Sequence, residues 1–175
     1  TDTMAYAASA LSFMLENIGK PVIFTGSQIP FAEIYNDARR NLIISIILAS
    51  RLDFPEVCIF FNDKLLRGNR SSKVDSNALA AFDSLNFPPL ASVGVETTFR
   101  SDLTIQPPKG VFRVHHKMDS HVIVIKLVPG FSDDAIFAII QNCESLSAIV
   151  LLLYGTGNAP SARDGLIEAM SLAHA

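Results

Sequence analysis

Three short runs carry the side chains best suited to chemistry: Thr1-Asp2-Thr3, Gly26-Ser27-Gln28 and Arg67-Gly68-Asn69-Arg70-Ser71-Ser72-Lys73. Each stands where α/β proteins build their sites, at the carboxyl end of a strand or the start of a helix. A hydroxyl, a carboxylate and a lysine converging at a helix N-terminus can activate a hydroxyl or a water and hold an amino-acid-like ligand. A lysine beside a threonine eases removal of the hydroxyl proton, and an aspartate pairs with a ligand ammonium. Spacing alone favours a plainer reading, in which Thr1 and Asp2 cap a helix and Lys73 is a solvated loop charge.

The elements that must position these runs alternate between helical and strand patterns. Residues 1–17 read as a helix, with N-cap types at Thr1, Asp2 and Thr3 and apolar residues at Met4, Ala8, Leu11, Met14, Leu15 and Ile18. Leu11, Phe13, Met14 and Leu15 are expected in the core, and Gly19 and Pro21 mark the stop. Val22-Ile23-Phe24-Thr25 reads as a buried strand ending at Gly26-Ser27. Asp37 is the expected cap of a second helix through residues 41–49, apolar nearly all round and so expected to be covered on most sides. Val57-Cys58-Ile59-Phe60-Phe61 is a further apolar strand. Helix, strand, helix, strand with short links is the pattern of crossovers onto a parallel sheet.

Beyond residue 62 the pattern loosens into a polar loop at residues 67–73, a short helix near 77–82 and a strand within 93–99. A strand at 121–127, a helix at 131–140 capped by Ser132, a strand at 147–154, a turn at Gly155-Thr156-Gly157-Asn158 and a helix from Ala162 onward form a second unit. The domains expected are residues 1–100, a linker at 101–120, and residues 121–175.

The motifs point further than the spacing. Thr1-Asp2-Thr3-Met4-Ala5-Tyr6 and Lys20-Pro21-Val22-Ile23-Phe24-Thr25-Gly26-Ser27-Gln28-Ile29-Pro30 strongly resemble the asparaginase/glutaminase family, in its cytoplasmic, type I-like branch. The resemblance continues in order through Asn36-Asp37-Ala38-Arg39-Arg40-Asn41-Leu42, Phe60-Phe61-Asn62-Asp63, the residues 67–73, Asn86-Phe87-Pro88-Pro89-Leu90 and Tyr154-Gly155-Thr156-Gly157-Asn158-Ala159-Pro160. It implies an α/β fold: a three-layer N-terminal domain on a parallel sheet, its leading strands absent, then the start of a smaller α/β C-terminal domain.

The resemblance also implies roles. Thr1 is similar to the family's second catalytic threonine and Lys73 to the lysine coupled to it. Asp2 is similar to the carboxylate that holds the substrate α-amino group. Ser27 stands where the family contacts the side-chain amide, largely through main chain, and Asn158 where a second-domain residue approaches a neighbouring subunit's site. The implied reaction turns L-asparagine into L-aspartate and ammonia, with no metal or organic cofactor, in a homo-oligomer. The family's primary nucleophilic threonine sits in a glycine-rich turn that no part of this sequence matches, nor does a His-Gly pair precede Thr1. The chain is therefore expected to be the middle of such an enzyme, with little or no activity by itself and with exposed apolar faces that lower its solubility. The alternative is a catalytically incomplete fragment or isoform that keeps oligomerisation or ligand-binding surfaces.

Composition agrees with a packed α/β protein: of 175 residues, 49% are hydrophobic and 18% charged, with a formal net charge of −3. That balance excludes the basic footprint of a nucleic-acid binder. The longest apolar stretches, around residues 42–49 and 147–154, fall short of a membrane span, and the opening residues show no signal-peptide pattern, so a cytoplasmic location is expected. Cys58 and Cys143 read as buried or half-buried reduced thiols. His115, His116 and His121 match no common zinc spacing, the glycine turn at 155–158 lacks a phosphate-binding ending, and Arg67, Arg70 and Lys73 read as solvated charges.

Overall fold

Val57–Phe61 is a strand buried at all five residues. Side chains alternate across a strand, so a run this apolar needs cover on both faces. Val57, Ile59 and Phe61 pack with Met4, Ala5, Ala8, Leu66, Ala81 and Phe82. Cys58 and Phe60 pack with Leu48, Phe54, Leu65, Leu90 and Ala91 on the opposite side. The sheet is thus the middle of three layers, with one helix against each face.

The computed structural model describes residues 1–51, 53–160 and 164–174. They fall into two compact units, Thr1–Lys117 and Met118–Ala175. In the first, α1 (Met4–Met14), β1 (Leu15–Glu16), β2 (Val22–Phe24), α2 (Ala38–Arg51), β3 (Val57–Phe61) and β4 (Lys64–Arg67) are followed by β5 (Ser72–Lys73), β6 (Phe82–Asp83), β7 (Ala91–Val93), β8 (Thr97–Phe99) and β9 (Arg113–Val114). The main sheet has the order β2-β3-β4-β7-β8. β2 and β3 are parallel, with Ile23 opposite Cys58, whereas β4, β7 and β8 join by antiparallel pairing. The α/β class holds, on a mixed sheet. The reversal into β4 is a two-residue turn, Asn62 and Asp63, both in the left-handed region at φ 42° and 66°, the geometry that suits strand twist in a tight hairpin.

Several local expectations are corrected. The first helix starts at Met4 and stops at Met14, and Thr3 at its N-cap makes no side-chain cap bond. Its end comes early because Leu15 and Glu16 pair with Val114 and Arg113, and Asn17, at φ 55°, donates from Nδ2 to the Val111 carbonyl at 3.1 Å. Phe13 faces solvent, although Leu11, Leu15 and Ile18 pack against the core. β2 is half-buried. In α2 the expected cover is missing: Asn41, Ser45 and Leu48 are the buried residues, while Leu42, Ile43, Ile46 and Ile47 are exposed. Residues 77–82 are not helical; Phe82 and Asp83 instead pair with Lys73 and Ser72.

The second unit runs β10 (Val122–Lys126), α3 (Asp133–Asn142), β11 (Ala148–Leu152) and α4 (Asp164–His174). β10 and β11 are parallel in register from Val122 opposite Ala148 to Lys126 opposite Leu152, a β-α-β unit closed over Ile125, Leu127, Ile136, Leu166 and Ala169. Ser132 occupies the N-cap of α3 without a side-chain cap bond. The expected helix start at Ala162 lies outside the described residues. Cys58 is buried, but Cys143 is exposed, and both thiols are free. Among the described residues, no helix is long and apolar enough to cross a membrane.

Candidate active site

Lys73 Nζ lies 2.9 Å from Thr1 Oγ1 and 2.5 Å from Asp2 Oδ1. The two ends arrive by different routes. Thr1 and Asp2 precede α1, which seats Ala8 against Gly68. A Cβ on Gly68 would stand 3.2 Å from Ala8 Cβ and 2.8 Å from the Val57 carbonyl, so only glycine lets the helix approach β3 this closely. Lys73 ends the segment leaving β4, held by its pairing with Phe82 and by Ser71 Oγ donating to the Arg67 carbonyl at 2.6 Å.

Arg67 anchors that segment. Its guanidinium meets the buried Glu56 carboxylate through Nε at 2.5 Å and Nη2 at 3.0 Å, donates to the Leu103 carbonyl at 2.7 Å, and stacks on the Phe87 ring at 4.3 Å. Glu56 Oε1 also accepts from the Ile105 N–H at 2.6 Å. A buried carboxylate is tolerable when paired and hydrogen-bonded in this way. Arg67 is therefore not a solvated loop charge. The sequence signal is an acid and a base bracketing the β3–β4 hairpin.

The electrostatics at Thr1 are simple. The hydrogen bond from the Lys73 ammonium, and then its charge, hold the Asp2 carboxyl below its ordinary value. Lys73 is mostly covered, whereas Asp2 is 89% exposed and so open to a second cation from solvent. Thr1 Oγ1 shares a proton path with Nζ at hydrogen-bond distance, the geometry general acid–base transfer requires. An open cavity of about 350 Å³ beside the pair is lined by Asp2, Ala5, Tyr6, Ser9, Ser71, Ser72 and Lys73.

The loop after β2 completes the cluster. A Cβ on Gly26 would stand 3.5 Å from Thr1 Cγ2, so the main chain entering half-buried Ser27 passes directly beside Thr1. The structure thus brings Thr1, Asp2, Lys73 and the Gly26-Ser27 chain together. Asn158 belongs to the second unit, where its N–H and carbonyl each bond Tyr154 at 2.9 Å across a turn with Gly155 at φ 48° and Gly157 at φ 115°. The histidines take local partners: His115 Nε2 lies 2.8 Å from Glu16 Oε2, and His121 Nδ1 lies 2.8 Å from Asp119 Oδ1. Among the described residues, no three His, Cys, Asp or Glu side chains gather to hold a metal. The ion pair between Asp2 and Lys73 was missed from sequence, because an aspartate expected to meet a ligand ammonium meets a protein ammonium first.

Known proteins resemble this chain over most of its length. Residues 1–105 match the family model described as "Asparaginase, N-terminal". L-asparaginase 1 of Escherichia coli (strain K12) is 42% identical over 168 residues, which make up 96% of this chain and 49% of that protein. The 60 kDa lysophospholipase of Mus musculus is 43% identical over 169 residues, 96% of this chain and 30% of that protein. The crystal structure of L-asparaginase I from Vibrio cholerae O1 biovar eltor superposes with a TM-score of 0.91 at 40% identity, covering 99% of this chain and 52% of its own. The chain spans about half or less of the length of these relatives.

Proposed function

This chain belongs to the asparaginase family, and on that premise we propose that the protein carrying it hydrolyses the side-chain amide of L-asparagine to L-aspartate and ammonia. The observation that supports this most directly is the 2.9 Å contact between Thr1 Oγ1 and Lys73 Nζ, with Asp2 Oδ1 on the same ammonium. An unactivated amide is a poor electrophile, so hydrolysis needs a hydroxyl whose proton has somewhere to go and donors for the carbonyl oxygen. Lys73 relays the proton of Thr1, taking it at Nζ as it gives one up toward the leaving nitrogen. The oxygen of the family's nucleophilic threonine, its proton passed to Thr1, bonds to the amide carbon, the C–N bond breaks, and the nitrogen leaves as ammonia with the proton relayed through Lys73. Water then cleaves the resulting ester, restoring the hydroxyl and releasing aspartate.

Asp2, whose side chain is 89% exposed, holds the α-ammonium of the substrate. Ser27 offers main-chain groups to the side-chain amide, and Asn158 approaches the site of a neighbouring subunit in a homo-oligomer. The protein needs no metal or organic cofactor in this scheme and works in the cytoplasm.

The test is ammonia release from asparagine by the longest natural protein that contains this chain, beside its Lys73→Ala variant. Loss of a positioned proton acceptor should lower kcat by about 10²- to 10⁴-fold. No ammonia from the unaltered protein would end the reading, and an unchanged rate in Lys73→Ala would remove Lys73 from it.

A further inference from the structure

We propose that Asp37 and Asn41 are positioning residues that hold the main chain on both sides of Ser27 against Thr1; the role rests on the asparaginase reading of that site. The starting observation is an inversion in α2. Asn41 is 2% exposed, while its neighbours Leu42 and Ile43 are about half exposed. A helix that buries an amide and turns its branched apolar side chains outward gives up hydrophobic burial, so the hydrogen bonds of that amide must be what orients it.

Those bonds run to the catalytic loop. Asn41 Nδ2 donates to the Gly26 carbonyl at 2.9 Å and to Asp37 Oδ2 at 3.2 Å. Asn41 Oδ1 accepts from the Asn62 N–H at 3.3 Å, tying the same amide to the left-handed turn between β3 and β4. Asp37, the residue expected to cap α2, starts the helix with its main-chain carbonyl, which accepts from the Asn41 N–H at 3.0 Å, and its carboxylate reaches the loop after β2. It accepts from the Gln28 N–H at 3.0 Å on Oδ2 and 3.2 Å on Oδ1, and from the Ile29 N–H at 3.0 Å. The start of the helix is served by Asn36, whose Oδ1 accepts from the Arg39 N–H at 3.3 Å. The carbonyl before Ser27 and the two amides after it are therefore all fastened to one turn of one helix. Because Gly26 lies against the Thr1 methyl, any drift of this chain is a drift relative to the Thr1 hydroxyl. Substrate contacts made through main chain have no rotamer with which to correct such an error.

The test uses Asp37→Asn in the longest natural protein, an isosteric change that removes the charged acceptor. Amide hydrogen exchange at Gln28 and Ile29 should quicken by about tenfold or more, the scale of a lost charge-assisted hydrogen bond, while Ile59 and Phe60 in β3 keep their protection. With asparagine, kcat should fall by about 100-fold with little change in KM, as expected for misplacement by a fraction of an ångström to one ångström. Asp37→Glu, which keeps the charge, should recover part of the loss. Asn41→Asp serves as the second variant: it keeps the volume, removes the donor to Gly26, and should show the same loss in kcat. Unchanged exchange at Gln28 and Ile29 overturns the clamp. Faster exchange with undiminished kcat overturns its positioning role. An unaltered protein that releases no ammonia overturns the asparaginase reading together with the positioning role, and exchange then decides the clamp on its own.

Discussion

Thr1 and Lys73 stand 72 positions apart in the chain and 2.9 Å apart in space. Neither is held there by the other alone. Thr1 is fixed by a helix that Gly68 admits to close range of β3, and Lys73 by a short strand pairing anchored through Arg67. The contact is a product of the first unit's packing, and changes that leave both residues in place will still reach it.

Asp2 gives the first test. Its carboxyl is held down by the Lys73 ammonium, so the ion pair is complete above the ordinary carboxylate value and is lost as pH falls through the lowered one. A carboxyl ¹³C titration of Asp2 should therefore show a midpoint below 3.8, moving up in Lys73→Ala. A midpoint at or above 3.8 in the unaltered protein contradicts the pair. In the whole protein, Asp2→Asn should raise KM for asparagine by about 10- to 100-fold, the range for losing a hydrogen bond to a charged group.

Glu56 and Arg67 give a stability test. The Glu56 side chain is 2% exposed and that of Arg67 16%, and Glu56→Ala leaves the guanidinium to the Leu103 carbonyl and the Phe87 face. Removing one member of a buried pair costs about 3–5 kcal/mol, which should appear as a lower urea midpoint with an unchanged slope. A midpoint within error of the parent would mean that water reaches the site and that the pair contributes little.

Asp119 gives a test confined to the second unit. Ser147, the His121 N–H and the His121 ring hold its carboxyl down at about 2. A lowered value stabilises the fold above the ordinary 3.8 and ceases to do so as pH falls through about 2. The stability difference between the parent and Asp119→Asn should be full near neutrality and vanish by about pH 2, measured by denaturant unfolding across that range. A difference independent of pH would show that the carboxylate's charge is not what matters.

Much of this was legible in the residues. Val57–Phe61 reads as a continuous apolar strand, and the structure buries all five residues because such a run has no polar side to show to water. The family resemblance is borne out by the match over residues 1–105. α2 departs from its expected cover for a physical reason. Hydropathy says how apolar a helix is, not which stripe turns inward, and here Asn41 and Ser45 are buried while four aliphatic side chains are not. The inward stripe was chosen by hydrogen-bond partners at Gly26 and Asn62. The end of α1 and the strand at Phe82, where a helix is expected, differ for a like reason, since their partners, Val114 and Lys73, are distant in the chain.

By itself, then, the sequence determined the chemistry available: a threonine hydroxyl, a carboxylate, a lysine and a glycine-lined main chain, in a family order that spacing by chance would not produce. Such identities are local, and motifs and periodicity report local facts. Only the tertiary structure decided that Lys73 reaches Thr1 and Asp2 at once, that Arg67 is paired and covered, and that the Asp37 carboxylate reaches the Ser27 loop. Each of those depends on where strands and helices from different stretches of the chain come to rest. That is set by the burial of β3 and the satisfaction of buried polar groups, which no single segment can balance alone.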